Sequence, residues 1–222
     1  MSKYVISDIH GCYDKFMKML KLINFTNEDD LYIIGDIFDR GAQPLDVLDY
    51  VLGHKNIHLI KGNHEQMFEN YFVDGNAAFW YHNGGNSTHS QIMQKGFLAE
   101  EDLYRYIRNL PFIKVVDQFI LVHGGLYFPD NYEELTLEEL LELQEEDICL
   151  WNRDNVYSDI KFKDYIVISG HTIVQCIDER LNGNPKIIHR NGHIFIDCGA
   201  CFEQLGGKLS CLRLDDMKEF YI

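Results

Sequence analysis

The stretch Leu31–Gly41, LYIIGDIFDRG, decides the fold of this chain. Its four apolar residues, Leu31–Ile34, are followed by a glycine, a pattern that predicts a buried strand with an abrupt end. Asp36, Asp39 and Arg40 come next, at the place where α/β proteins position their reactive groups. Two carboxylates and a guanidinium at one strand end indicate a site for a metal and a phosphate group. Alone the signal is weak, because Asp and Gly are also ordinary turn residues.

The first sixty residues alternate between strands and helices. Strands are predicted at Lys3–Ser7, Leu31–Ile34 and Ile57–Ile60, where short apolar runs end next to glycine or serine. Helices are predicted at Asp14–Asn24, from apolar residues at helical spacing, and at Leu45–Leu52, which follows a proline suited to a helix start. This order predicts a parallel sheet with right-handed crossovers.

The remainder of the chain is predicted to be mixed. Glu65–Asn109 is rich in aromatic residues and predicted to be largely helical, and Glu133–Asp147 is predicted to be an acidic helical insertion. Phe112–Val116 and Phe119–Val122 are predicted to form a hairpin, and Tyr165–Ser169 a further strand. The last four predicted strands are assigned to antiparallel pairs joined by glycine-containing turns: Ile187–His189, His193–Asp197, Leu209–Leu214 and Glu219–Ile222.

Composition excludes several classes of protein. The chain has 222 residues, 46% of them hydrophobic, which suits one large α/β domain. A formal charge of −15 argues against an electrostatic nucleic-acid binder and against an anionic membrane surface. The sequence begins directly with a strand rather than a signal peptide, and no apolar run approaches the roughly 20 residues that span a bilayer.

The six cysteines are too sparse for a disulfide scaffold, so we expect a cytoplasmic protein in a reducing environment. Cys198 and Cys201 form a C-G-A-C motif. A redox pair is one interpretation of this motif. The favoured interpretation is that they are two small buried residues at a strand end, because no strand-to-helix context of a thioredoxin-like site surrounds them.

Five predicted strands end in a polar loop next to a glycine, which lets the backbone turn sharply and approach a ligand closely. The side chains that these loops bring together are Asp, Asn and His without a thiolate, a set suited to Mn, Fe, Zn or Mg. Two metals about 3.5–4 Å apart need a shared carboxylate, and Asp36 is the natural bridge. The five loop motifs are D-x-H-G at Asp8 and His10, G-D-x-x-D-R-G at Asp36, G-N-H-E at Asn63 and His64, H-G-G at His123, and G-H-T at His171.

These motifs, in this order, resemble those of the calcineurin-like metallophosphoesterases. The likeness is to the phosphoprotein phosphatase family, and within it to the small bacterial and phage-lambda-type serine/threonine protein phosphatases. It runs nearly from end to end, since W-x-x-N-G-G at Trp80–Gly85, W-N-R at Trp151–Arg153 and D-x-G-A at Asp197–Ala200 also fit. The H-G-G at His123 departs from the H-A of the phage enzyme, but the ligand itself is unchanged.

The resemblance implies an α/β fold, a four-layer α/β/β/α metallophosphoesterase sandwich with helical insertions over the active site. We expect one calcineurin-like phosphoesterase domain over residues 1–222, with cap-like insertions at about 65–110 and 130–155. The resemblance also implies two divalent metal ions, Mn²⁺ first, with Fe, Zn or Mg as alternatives. The implied ligands are Asp8, His10 and Asp36 for one metal, and Asp36, Asn63, His123 and His171 for the other.

The implied reaction is in-line attack on phosphorus by a hydroxide that bridges the metals, whose charge lowers the pKa of bound water. Arg40 and Arg153, with Asn63 and His64, would bind the substrate phosphate. His64 would also protonate the leaving group, and Asp39 would orient that imidazole.

Three functions remain open at this stage. The first is a phosphomonoesterase acting on phosphoserine and phosphothreonine proteins or peptides, and on phosphotyrosine as a further substrate. The second is a bis(5'-nucleosyl)-tetraphosphatase, which hydrolyses diadenosine tetraphosphate or a similar dinucleoside polyphosphate on the same fold. The symmetrical tetraphosphatases carry A-R-G and G-N-H-D where this chain has Asp39 and Glu65, which favours the first. The third is a phosphate-binding module without activity.

Overall fold

Two five-stranded sheets form the centre of the protein. The computed structural model describes residues 1–222 and contains ten strands and nine α-helices. The strands are β1 Lys3–Ile6, β2 Asp30–Ile34, β3 Ile57–Ile60, β4 Ile113–Val116, β5 Phe119–Val122, β6 Ile166–Ser169, β7 Ile188–Arg190, β8 His193–Phe195, β9 Ser210–Arg213 and β10 Lys218–Tyr221. The helices are α1 Tyr13–Leu22, α2 Pro44–Leu52, α3 Asn63–Asp74, α4 Ala78–His82, α5 Asn86–Lys95, α6 Phe97–Arg108, α7 Leu137–Glu142, α8 Glu146–Trp151 and α9 Val174–Ile177.

The first sheet has the strand order β10-β9-β1-β2-β3. Its strands β1, β2 and β3 are parallel, with Ile6 opposite Ile33 and Ile34 opposite Ile60. The connections α1 and α2 are the two helices predicted between these strands, so the predicted strand–helix–strand–helix–strand unit is confirmed. Because these three strands run the same way, their carboxyl ends lie along one edge of the sheet.

The second sheet has the order β4-β5-β6-β8-β7 and corrects one prediction. The β4–β5 hairpin is antiparallel as expected. The prediction that the last four strands pair only antiparallel is wrong, because β8 lies parallel to β6, with Val167 opposite His193. The turn at Asn191 and Gly192 reverses β7 into β8, and this reversal sets the direction of β8. Strands β9 and β10 join the first sheet instead, next to β1.

Apolar side chains pack on both faces of each sheet. Neighbouring residues of β5 point to opposite faces. Leu121 belongs to the apolar cluster between the two sheets. Ile120 and Val122 belong to the cluster on the outer face of the second sheet, together with Leu140 of α7. A larger cluster joins the first sheet to α1, α2, α3, α5 and α6. The layers therefore follow the order helices, sheet, sheet, helices, as in the metallophosphoesterase fold.

Two helical segments lie between the strands that bear the site. Residues 65–110 hold most of α3 and all of α4, α5 and α6, and residues 130–155 hold a 3-10 turn, α7 and α8. All six cysteines are free; Cys198 is buried and Cys201 is half-buried. No helix combines the length and the apolar character needed to cross a membrane.

The inter-sheet core yields a stability prediction. Leu121 is fully buried between the sheets, so Leu121→Ala should lower the free energy of unfolding by about 2–5 kcal/mol through lost burial and a residual cavity. Urea unfolding followed by circular dichroism measures this change. The matched control is Leu98→Ala, because Leu98 is 75% exposed, and its effect should stay within about 0.5 kcal/mol. Equal effects of the two substitutions would contradict the layer assignment.

Candidate metal centre and active site

The six predicted metal ligands lie just beyond the carboxyl ends of five strands. Five of them are at most 4% exposed, and the sixth, His171, is half-buried. Charged groups are rarely buried so completely without a partner or a metal ion. The six are Asp8 and His10 after β1, Asp36 after β2, Asn63 at the start of α3 after β3, His123 after β5 and His171 after β6.

The carboxylate of Asp36 lies at the centre of this cluster. Its Oδ2 atom is 3.4 Å from Nε2 of His123 and 3.6 Å from Nε2 of His10. The side-chain oxygen of Asn63 lies 2.7 Å from Nε2 of His123 and 3.0 Å from Nδ1 of His171. The structure therefore brings residues from both sheets into one cluster.

Potential ligand atoms fall into two overlapping groups. Those of Asp8, Asp36 and His123 lie within 4.8 Å of one another, and so do those of His10, Asp36 and His64. Asp36 belongs to both groups. Carboxylate and imidazole donors without a thiolate match hard or borderline divalent cations. The donor set therefore fits two such cations that share Asp36.

The predicted ligand histidines differ in charge state: the carboxylate of Asp36 outweighs burial and raises the pKa of His123 to about 10, whereas the other two behave differently. Burial and the neighbouring imidazole of His123 lower the pKa of His171 to about 2, and burial with the nearby His64 and Arg40 lowers the pKa of His10 well below its usual value. Both imidazoles are therefore neutral, which is the form that binds a metal. The Nε2 atom of His171 is buried and has no hydrogen-bond partner. This imidazole therefore has a nitrogen that is free to bind a metal.

Backbone strain is concentrated at the site. Ten non-glycine residues have a positive φ angle. A left-handed backbone at a non-glycine residue costs on the order of 1–3 kcal/mol and tends to occur where function requires it. Six of the ten are predicted site residues: Asp8 at 48°, His10 at 46°, Asp36 at 56°, Asp39 at 69°, Arg40 at 65° and His171 at 63°.

Glu65 fixes the backbone of the central loop. Its carboxylate accepts hydrogen bonds from the amide of Asp36 at 2.8 Å, of Ile37 at 3.0 Å and of Gly62 at 2.8 Å. A side chain at Gly62 would collide with the Asp36 carboxylate, so glycine is needed there. Burial and the charge of Asp36 raise the pKa of Glu65 to about 7.

His64 and Asp39 form a buried pair beside the cluster. Nδ1 of His64 donates to Oδ2 of Asp39 at 2.6 Å, and Asp39 is fully buried. Arg40 donates to Nε2 of His64 at 3.0 Å and to Nε2 of His10 at 2.7 Å. The ε nitrogen of His64 therefore faces the guanidinium and the cluster, while its δ nitrogen is hydrogen-bonded to Asp39.

Arg153 is not among the partners of the contacts that Arg40 makes with His10 and His64. Its exposed side chain lines a cleft of about 790 Å³. Trp151 lines the same cleft, and its ring centre is 6.0 Å from that of His171. The structure thus places one predicted phosphate-binding arginine within the cluster and the other at the wall of an adjoining cleft.

Sequence reasoning assigned no role to four buried residues beside this site. They are Glu65, Trp80, Thr88 and Asp197, and each is buried. Trp80 and Asp197 occur in motifs that carry the family resemblance, and Glu65 in G-N-H-E, so a signal existed for three of them. Thr88 is a single threonine in a polar helix, and nothing in the sequence distinguishes it.

Carboxylate and imidazole clusters that bind two metal ions occur in hydrolytic enzymes, phosphatases among them, and on this fold such a cluster indicates a metal-dependent phosphoesterase. The chain belongs to the calcineurin-like phosphoesterase family, whose model matches residues 1–195. Members of this family use a dinuclear divalent metal centre.

Named relatives include two kinds of enzyme. A symmetrical bis(5'-nucleosyl)-tetraphosphatase of Buchnera aphidicola subsp. Baizongia pistaciae is 30% identical over an alignment of 215 positions, which covers 89% of this chain and 73% of the relative. Serine/threonine-protein phosphatase 1 of Salmonella typhimurium is 27% identical over an alignment of 219 positions, which covers 95% of this chain and 91% of the relative. A serine/threonine phosphatase structure from Saccharomyces cerevisiae shares the fold, with a TM-score of 0.63 at 14% identity, covering 100% of this chain and 79% of that one.

The contacts of Glu65 yield a second stability prediction. Glu65→Gln leaves one acceptor oxygen for three backbone donors, and each unsatisfied buried donor costs about 1–3 kcal/mol. The free energy of unfolding of the metal-free protein at pH 8 should fall by about 2–4 kcal/mol, measured by urea unfolding.

The matched control is Glu28→Gln, which makes the same change at an exposed carboxylate before β2, at the opposite edge of the first sheet. Its effect should stay within about 0.5 kcal/mol. A Glu65→Gln variant as stable as this control would contradict the role assigned to Glu65.

Proposed function

We propose that this protein is a phosphatase that removes phosphate from serine and threonine side chains of phosphoproteins, with Mn²⁺ as its metal. We further propose that residues 1–222 form one catalytic domain. We base this choice of substrate on the charge of the cleft beside the proposed metal centre. It has one arginine and two aspartates among its lining residues.

Six side chains would hold the metals in this proposal. One metal would be bound by Asp8, His10 and Asp36, and the other by Asp36, Asn63, His123 and His171. Bound there, the metals supply Lewis-acid activation of water and neutralise charge on the phosphoryl group.

The remaining polar side chains would act on the substrate itself. Arg40, already in contact with two imidazoles of the site, would turn its guanidinium to the phosphoryl oxygens, and Arg153 would approach them from the cleft. A guanidinium suits this task because its fork of donors matches the phosphate. Asn63 and His64 would bind the phosphate as well. His64 would protonate the leaving oxygen from Nε2, while Asp39 holds Nδ1.

The cleft supports a peptide rather than a polyphosphate. It is lined by residues of both helical segments, including Asn70 and Phe79 from one and Asp147 and Asp154 from the other. A tetraphosphate chain brings several negative charges that need cationic partners, and Arg153 is the only cationic residue in this lining. Carboxylates, amides and aromatic rings suit the backbone and basic side chains of a peptide.

Hydrolysis of a dinucleoside tetraphosphate is the second candidate. It is favoured by the tetraphosphatase relatives and by Phe79, whose ring is 59% exposed at the cleft and could stack on a nucleobase. Against it stand Asp39 and Glu65, which differ from the tetraphosphatase motifs.

The choice between the two can be tested with purified protein and Mn²⁺. A phosphothreonine peptide and diadenosine tetraphosphate are compared for phosphate or nucleotide release. The peptide should have a kcat/KM at least about tenfold higher, equal to about 1.4 kcal/mol of transition-state preference. The reverse preference would overturn the protein-phosphatase proposal and favour the tetraphosphatase.

The central role of Asp36 gives a further prediction. Asp36→Asn removes the shared carboxylate charge, so calorimetric titration with Mn²⁺ should show loss of tight binding and kcat should fall by at least about 100-fold. Asp164→Asn is the matched control, because Asp164 is exposed in the turn before β6. Full Mn²⁺ binding and full activity in Asp36→Asn would disprove the assignment.

A further inference from the structure

The Asp39 carboxylate is fully buried and both of its oxygen atoms are hydrogen-bonded. Oδ2 accepts from Nδ1 of His64 at 2.6 Å and from Nε1 of Trp80 at 2.7 Å. Oδ1 accepts from the hydroxyl of Thr88 at 2.6 Å, and that hydroxyl accepts in turn from the amide of Asp39 at 2.8 Å. Three side chains and the backbone thus fix the direction in which this carboxylate faces His64.

Trp80 and Thr88 come from α4 and α5 rather than from the loops at the strand ends. Both are almost completely buried, at 1% and 0% exposure. The indole of Trp80 is itself held in place, because it stacks on Tyr71 with ring centres 5.2 Å apart and meets Phe68 edge-on at 5.5 Å. A donor so restrained can set the position of its acceptor.

The glycines of the W-x-x-N-G-G motif complete this arrangement. A side chain at Gly85 would collide with the indole ring of Trp80, so this glycine allows the close packing. The carbonyl of Gly84 accepts a hydrogen bond from the amide of Arg40 at 3.2 Å. The motif therefore supports the two consecutive residues Asp39 and Arg40 from one helical segment.

We propose that Trp80 and Thr88 are positioning residues for leaving-group protonation: they hold Asp39 so that His64 presents Nε2 to the leaving oxygen. This inference rests on the phosphatase activity proposed above. Without either donor the buried carboxylate loses a strong hydrogen bond and can rotate, and the imidazole that it orients loses its fixed direction.

The step affected is cleavage of the ester bond. A water oxygen forms a new bond to phosphorus as the bond from phosphorus to the leaving oxygen breaks, and the electron pair of that bond stays on the leaving oxygen. The leaving oxygen takes the proton from Nε2 of His64, and a proton of the attacking water later restores it. An alkoxide needs this proton, whereas nitrophenolate is stable without it. Misplacement of His64 should therefore slow the reaction of an alkyl phosphate much more than that of p-nitrophenyl phosphate.

The test uses Thr88→Val, which keeps the shape and removes the hydroxyl, and Trp80→Phe, which keeps an aromatic ring and removes the N–H. With the Mn²⁺-loaded enzyme, kcat for a phosphothreonine peptide should fall about tenfold or more, within the roughly 10²–10⁴-fold worth of general acid catalysis. The kcat for p-nitrophenyl phosphate should stay within about twofold of the wild type. Thr88→Ser keeps the hydroxyl, so its kcat for the peptide should be close to that of the wild type. An equal fall on both substrates, or no fall on either, would overturn the inference.

A second measurement does not depend on activity. The chain has two tryptophans, and the indole of the other, Trp151, donates to Gln66 instead. In ¹H–¹⁵N spectra of the metal-free protein, Asp39→Asn should shift the Trp80 indole resonance and leave that of Trp151 in place. An unmoved Trp80 resonance would contradict the contact. Absence of hydrolysis of both phosphate monoesters by the wild type would instead contradict the proposed function, whatever the spectra show.

Discussion

The burial of the Asp36 carboxylate at the carboxyl ends of strands from two sheets is the constraint on which the rest of the site depends. Three imidazoles, from His10, His64 and His123, lie within 4 Å of its Oδ2 atom. These neighbours, His123 above all, outweigh the effect of burial and hold the pKa of Asp36 well below its usual value. An ionised carboxylate in such a place needs positive charge, and its backbone is held left-handed by the Glu65 contacts. The fold therefore keeps the Asp36 carboxylate ionised at a position where cations can bind.

Residues from the two helical segments surround this centre and orient its side chains. The loops after the parallel strands supply the proposed metal ligands, while the helical segment 65–110 supplies Trp80 and Thr88 behind Asp39. The segment 130–155 supplies the opposite wall of the cleft, including Asp147 and Arg153. Chemistry common to the family thus resides in the strand ends, and features that could select a substrate reside in the helices. This division fits relatives that share the fold and act on different phosphate compounds.

Much of the fold could be predicted from the sequence, because short apolar runs ending at glycine identify both the strands and the loops after them. The parallel unit β1–β2–β3 was accessible in this way. The direction of β8 was not, because it depends on the turn after β7 and on pairing with the distant β6. The contact of Thr88 with Asp39 spans 49 residues, and no local pattern encodes it.

Crystals grown with Mn²⁺ would test the central claim most directly, through anomalous scattering at the manganese edge. Two peaks about 3.5–4 Å apart are expected, both within bonding distance of the Asp36 carboxylate. One would be flanked by Asp8 and His10, the other by Asn63, His123 and His171. A single peak, or peaks that do not contact Asp36, would contradict a dinuclear centre built on this residue.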